Sequence, residues 1–106
     1  MDAGSAPGYT SLSLKFLGYE VCSLDVNPEP YKRILEERGV KIIKSDLENE
    51  IIPLSNECID CVVFTEVLEH LNPYKVPFTL SEINRVLRIG GLLYLTTPNA
   101  VSVVRE

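Results

Sequence analysis

The stretch Ile59-Asp60-Cys61-Val62-Val63-Phe64-Thr65, followed at once by Glu66-Val67-Leu68-Glu69-His70-Leu71-Asn72-Pro73, decides the fold. Its first half is apolar at nearly every position. A strand with one wet face alternates apolar and polar residues, whereas one without alternation expects cover on both faces, as in a parallel sheet flanked by helices. Its second half turns polar and carries three ionisable groups immediately past the strand. That is the edge of a parallel sheet at which ligands collect.

Working outward, the same strand-then-helix unit recurs. Downstream, Leu80, Ile83 and Leu87 keep helical spacing up to Gly90, and Gly91-Leu92-Leu93-Tyr94-Leu95-Thr96-Thr97 reads as a strand ending before Pro98-Asn99. Upstream, Val40-Lys41-Ile42-Ile43-Lys44 is a strand ending at Ser45-Asp46, and residues 47–57 form a polar, proline-containing loop. Before it, Glu20-Val21-Cys22-Ser23-Leu24-Asp25 is a strand ending in an acid. Asn27-Pro28 then resembles a helix cap with proline in the first turn, and Tyr31, Ile34 and Leu35 stand at i, i+3 and i+4 before Gly39. The chain opens on Asp2-Ala3-Gly4-Ser5-Ala6-Pro7-Gly8, a turn-forming cluster, and a short helix over residues 9–18 closed by Gly18. Alternation of this kind predicts an α/β fold, a doubly wound parallel sheet built from right-handed βαβ units.

A length of 106 residues with 45% hydrophobic and 24% charged positions fits one globular unit, so residues 1–106 are taken as one domain. No apolar run approaches the ~20 residues of a membrane span, and the start lacks a basic, then apolar, leader. Three cysteines, Cys22, Cys58 and Cys61, suit reduced thiols better than a disulfide framework, and a cytoplasmic address is expected. Fifteen acidic residues against ten basic ones give a net charge of −5. That balance disfavours a nucleic-acid partner, which wants excess positive charge. Cys58 and Cys61 have C-x-x-C spacing, but one further cysteine and one histidine make a poor tetrahedral set, and buried, inert thiols are expected rather than a metal.

Four acids, Asp2, Asp25, Asp46 and Glu66, lie at or just past the carboxyl ends of the strands. The spacing Gly4-x-Ala6-x-Gly8 misses the dinucleotide fingerprint and lacks the lysine of a phosphate-binding loop; the next cation is Lys15. A ligand without phosphate fits this edge better. As simpler readings, the glycine cluster is an ordinary turn, and Asp25 with Asn27-Pro28 is a turn and helix cap.

Taken in order, Asp2-Ala3-Gly4-Ser5-Ala6-Pro7-Gly8, Ser23-Leu24-Asp25-Val26, Ser45-Asp46-Leu47, residues 63–71 and residues 85–95 make the sequence similar to the class I S-adenosylmethionine-dependent methyltransferases, with a Rossmann-like sheet. The family's sheet runs 3-2-1-4-5-7-6. Against it this chain supplies strands two to five and the tip of strand one, with strands six and seven largely missing, so the resemblance implies a partial methyltransferase domain and self-association through exposed sheet edges. The resemblance implies S-adenosyl-L-methionine as cofactor. Gly4, Ala6 and Gly8 would pass under its methionine part, Asp25 would accept the ribose hydroxyls, and Asp46 would meet the adenine amino group. Val26 and Leu47 would flank the ring, Asp2 would hold water or the methionine ammonium, and Thr65 completes the cofactor-binding set. Ala6 stands where the family has glycine, and Ile89 where it commonly has proline.

For Glu66, Glu69 and His70, a helix starting at Glu66 would bring all three onto one face. Three readings stay open: Glu69 and His70 as a structural pair, His70 as general base toward an acceptor hydroxyl, and a divalent-metal site like that of small-RNA 3′-terminal 2′-O-methyltransferases. The metal reading needs a second histidine that the sequence lacks. The resemblance thus implies methyl transfer to a small-molecule acceptor, with His70 as the catalytic candidate. Segments like Thr96-Thr97-Pro98-Asn99-Ala100 occur in enzymes for quinones, sugars and lipids. A non-catalytic fragment or accessory protein and a metal-assisted RNA 2′-O-methyltransferase are the alternatives.

Overall fold

The computed structural model describes residues 1–5, 8–65, 67–97 and 100–105, the last of these by backbone alone. The elements run β1 (Asp2–Ala3), α1 (Tyr9–Phe16), β2 (Cys22–Asp25), α2 (Lys32–Glu37), β3 (Lys41–Lys44), β4 (Ile59–Thr65), a 3₁₀ turn (Leu68–His70), α3 (Val76–Val86), β5 (Leu87–Thr97) and β6 (Ala100–Arg105). They form one sheet in the order β3-β2-β1-β4-β5-β6. The first five strands are parallel, as the alternation predicts.

β1, two residues long, is the expected tip of strand one, and it fills the central slot: Asp2 pairs with Ser23 of β2 and with Val63 of β4. One strand expectation is corrected: beyond the fifth strand, where none was expected, β6 pairs antiparallel with β5, Leu92 opposite Arg105 and Thr97 opposite Ala100. The run Ala100-Val101-Ser102-Val103-Val104 is rich in the β-branched residues that favour such a strand.

Three helix expectations also shift, each for a reason in the sequence. α2 begins at Lys32 and not at Asn27-Pro28. The second proline, Pro30, disfavours helical backbone at Glu29, so the helix starts only after it. α3 ends at Val86 and not near Gly90, because Leu87 already pairs with Ile59 as the first residue of β5. Pairing then skips from Ile59–Leu87 to Cys61–Leu92, and a Cβ on Gly91 would lie 2.8 Å from the Arg88 carbonyl oxygen and 3.0 Å from that of Asp60. The helix expected from Glu66 is a single 3₁₀ turn at Leu68–His70. Pro73 holds the preceding residue extended and stops any longer helix. Glu66, and with it the expected face shared with Glu69 and His70, lies outside the described residues.

The helix stops at Gly18 and Gly39 are as expected. Tyr19 N–H bonds the Leu14 carbonyl at 3.2 Å and Gly18 N–H that of Lys15 at 3.0 Å; Val40 and Gly39 repeat the pattern on Leu35 and Glu36. This paired arrangement satisfies carbonyls that a helix end leaves open.

Alternation along the central strands sorts the core into two layers. Ala3, Leu24, Val62 and Phe64 pack with Ile83, Val86 and Leu87, together with Leu47 and Ile52 of the long loop. On the other face Val21, Leu35 and Val40 make a smaller cluster joined by Leu12, Leu14 and Tyr31. Asp2 and Ser23, register partners with opposite parity to Ala3 and Leu24, meet Ser11 of α1.

Candidate functional site

The carboxyl ends of β1, β2, β3 and β4 open into a crevice of about 390 Å³. Gly4, Asp25, Val26, Ser45, Asp46, Leu47, Glu48, Thr65, Val67, His70 and Leu71 line it. Seven residues expected at a ligand site therefore meet in one place: Gly4, Asp25, Val26, Asp46, Leu47, Thr65 and His70. Three carboxylates and a histidine contribute to this wall, and no lysine or arginine does.

Gly4 sits at φ +72°, and a Cβ there would lie 2.6 Å from Val67 Cγ2, so the backbone turns off the β1 end at a point where a side chain has no room. Its N–H and that of Ser5 both reach the Leu24 carbonyl, at 2.7 and 3.2 Å, which ties the loop to β2. Gly8, at φ +95°, precedes α1 and packs against Leu35, away from the crevice wall. Ala6 lies outside the described residues.

Asp2 is 1% exposed and is not part of the crevice lining. The Ser11 hydroxyl donates to its Oδ2 at 2.6 Å and is in hydrogen-bond contact with the Ser23 hydroxyl. Burial pushes the Asp2 carboxyl above the usual carboxylate range, and the Ser11 hydrogen bond offsets this only in part.

Asp25 is 9% exposed and held from two sides. The Asn27 N–H donates to Oδ1 at 3.2 Å and the Tyr31 hydroxyl to Oδ2 at 2.8 Å. Asp46 is half-buried; its carboxylate accepts from the Asn49 side-chain amide and from the Glu48 N–H, both at 2.9 Å, and these bonds hold it below the usual range. Next to it the Thr79 hydroxyl of α3 donates to the Leu47 carbonyl at 2.7 Å, pinning this wall of the crevice to the helix behind. Val26 is largely exposed and Leu47 buried.

Ser45, 3% exposed, lines the crevice between the two acids, and its hydroxyl has no hydrogen-bond partner among the described residues. A buried polar atom without a partner costs about 1–3 kcal/mol, which a ligand's polar group would recover. Ser11, Ser23, Ser45 and Tyr31 were not singled out as site residues from sequence. The signal was there for Ser23 and Ser45, which stand two residues and one residue before the two acids on neighbouring strand ends.

His70 stands at the mouth with its side chain 78% exposed, its Nε2 3.7 Å from Glu69 Oε1. Cys58 is exposed and Cys61 half-buried, so the expectation of buried thiols fails at Cys58; burial pushes the Cys22 thiol up. No helix among the described residues is long and apolar enough to cross a membrane.

Residues 1–95 match the family model described as a methyltransferase domain. The chain belongs to this family. Over 103 residues the methyltransferase domain is 27% identical to a probable S-adenosylmethionine-dependent methyltransferase of Mycobacterium tuberculosis, covering 96% of this chain and 36% of that protein. It is 30% identical over 122 aligned positions to a malonyl-acyl-carrier-protein O-methyltransferase of Laribacter hongkongensis, covering all of this chain and 40% of the relative. The crystal structure of a SAM-dependent methyltransferase from Aquifex aeolicus superposes with a TM-score of 0.70 at 25% identity, over 89% of this chain and 53% of that one. The domain thus spans about two-fifths of the length of the curated relatives it matches.

Proposed function

We propose that this methyltransferase domain binds S-adenosyl-L-methionine in the crevice at the carboxyl edge of its sheet and serves methyl transfer to a small-molecule acceptor. The observation that carries this reading is the composition of the wall: Asp25, Asp46 and Glu48, with no lysine or arginine among the lining residues. Such a wall repels phosphates and suits a ligand with a diol, an ammonium and a sulfonium. The orphaned Ser45 hydroxyl fits the same ligand, whose ribose and adenine are rich in hydrogen-bond partners.

When bound, S-adenosylmethionine supplies an activated methyl group whose sulfonium leaves as a neutral thioether. The chain's own residues bind and orient. Asp25 would accept the ribose hydroxyls, Asp46 would meet the adenine amino group, and Val26 and Leu47 would flank the ring. Gly4, Ala6 and Gly8 would carry the methionine end, Thr65 would face it from β4, and buried Asp2 would act on its ammonium through charge. Exposed at the mouth, His70 is placed to take a proton from an acceptor hydroxyl, and proximity provides most of the remaining rate. The curated Laribacter relative is named for a carrier-bound carboxyl acceptor, which supports a small acceptor over nucleic acid, as does the net charge of −5. Exposed Cys58 and half-buried Cys61 and Cys22 support a reducing, cytoplasmic setting.

Calorimetry with S-adenosylhomocysteine tests the reading. Wild-type protein is expected to release heat of binding, and Asp25→Ala to weaken binding by at least tenfold, since it removes a charged acceptor for two hydroxyls at roughly 1.5–3 kcal/mol per bond. Absence of heat from folded wild-type protein overturns it.

A further inference from the structure

We infer that Tyr31 is a positioning residue for ribose recognition, acting through Asp25; the inference rests on the cofactor reading above. Tyr31 lies outside the crevice lining, six residues after Asp25, at the entry to α2. Its N–H bonds the Pro28 carbonyl at 3.1 Å and its carbonyl accepts from Leu35 N–H at 3.1 Å, so the backbone is fixed at both groups. The ring packs beside the cluster of Val21, Leu35 and Val40, and the hydroxyl returns to Asp25 Oδ2 at 2.8 Å. Together with the Asn27 N–H on Oδ1 at 3.2 Å, this grips each oxygen of the carboxylate from the protein side.

Gripping both oxygens settles the side-chain rotation of Asp25 before any ligand arrives. A vicinal diol needs two acceptors at fixed spacing and angle, and an unheld aspartate would spend part of the binding energy on ordering itself. A carboxylate offers roughly four acceptor positions, so protein donors and a diol can share one group. Burial and the neighbouring Asp25 both keep the Tyr31 phenol protonated, which maintains it as a donor throughout the physiological range. The bend that brings ring and acid together comes from Pro28 and Pro30, which delay α2 and leave the segment between Asp25 and Tyr31 as a tight turn.

The test compares wild type, Tyr31→Phe, Asp25→Asn and the double variant by calorimetry with S-adenosylhomocysteine and with its 2′-deoxy analogue. Tyr31→Phe is expected to weaken S-adenosylhomocysteine binding by roughly five- to tenfold. It should also shrink the preference over the 2′-deoxy analogue and cause no further loss in the Asp25→Asn background. Tyr31→Met, which keeps apolar contact with Val21, Leu35 and Val40 but also lacks the hydroxyl, should behave in the same way if the phenylalanine variant folds poorly. Unchanged binding, equal losses for both ligands, or additivity with Asp25→Asn overturns the role of Tyr31 while the cofactor reading stands. Failure of wild type to bind S-adenosylhomocysteine overturns both.

Discussion

Two carboxylates are buried on opposite sides of the same sheet, and the protein treats them differently. Glu82 of α3 is 9% exposed and fully engaged: Arg85 Nε meets its Oε2 at 2.9 Å, Arg85 Nη2 meets its Oε1 at 3.0 Å, and the Ile52 N–H donates to Oε1 at 2.9 Å. These bonds, Arg85 foremost, hold it below the usual carboxylate range. Asp2 of β1 is more deeply buried and has Ser11 as its side-chain donor, and burial pushes it up. An acid that serves the architecture is paired to the full, whereas Asp2 carries a burial cost that its hydrogen bond with Ser11 offsets only in part.

The pairing around Glu82 has a clear purpose. Arg85 also donates to the Leu54 and Ile52 carbonyls at 2.8 Å and to Asn56 Oδ1 at 2.9 Å, so helix α3 holds the long loop that follows the crevice wall. The largest effect is therefore expected from Glu82→Ala, which strands the buried Ile52 N–H and removes the carboxylate from Arg85. It should cost about 2–3 kcal/mol in urea unfolding. A loss below about 0.5 kcal/mol would mean that the loop holds itself and that the contrast with Asp2 is not one of structural against functional pairing.

The next effect probes the same anchorage closer to the crevice. Thr79→Val keeps the shape of a side chain that is fully buried and removes the donor to the Leu47 carbonyl. A loss of about 1–2 kcal/mol is expected from the unpaired carbonyl. Cofactor affinity should fall as well, because the Leu47 backbone forms part of the wall. If stability falls and affinity does not, this wall is set by Asp46 and its own turn instead.

This contrast also explains what could be read from the sequence. The parallel core was legible because Ile59 to Thr65 lacks alternation, and the acids at Asp25 and Asp46 because each stands at or just past the end of a strand-like run. The site residues Gly4, Asp25, Val26, Asp46, Leu47, Thr65 and His70 line one crevice for the same reason: parallel strands end on one edge. What remained hidden depends on contacts across the chain. Ser11 matters only because β1 and β2 pair in a register that sets Asp2 beside Ser23, and Arg85 only because a loop some thirty residues earlier folds back under it. Boundaries failed where proline and strand pairing outweighed helical spacing, at Glu29–Pro30 and at Leu87.

The smallest expected effect is the one that bears most directly on the comparison, because its sign is unusual. A carboxyl whose folded pKa lies above its unfolded value of about 3.8 stabilises the fold only while protonated, and that contribution is lost as pH rises through the folded value. At pH 7 Asp2 therefore subtracts from stability. Glu82 and Asp46, both held low, do the reverse: their contributions are present above the unfolded values and vanish as pH falls through the folded ones. Asp2→Asn should accordingly stabilise the protein at pH 7 by about 0.5–1 kcal/mol. The gain should disappear below pH 3.8, where the unfolded and folded carboxyls are both protonated. The same variant should bind S-adenosylhomocysteine more weakly if the proposed attraction between the Asp2 charge and the ligand's ammonium contributes. Thermal melts of both proteins across pH 3 to 8, with and without ligand, separate the cases. Stability gained and affinity lost together mark Asp2 as an acid kept for the ligand, whereas destabilisation at neutral pH would make it as structural as Glu82.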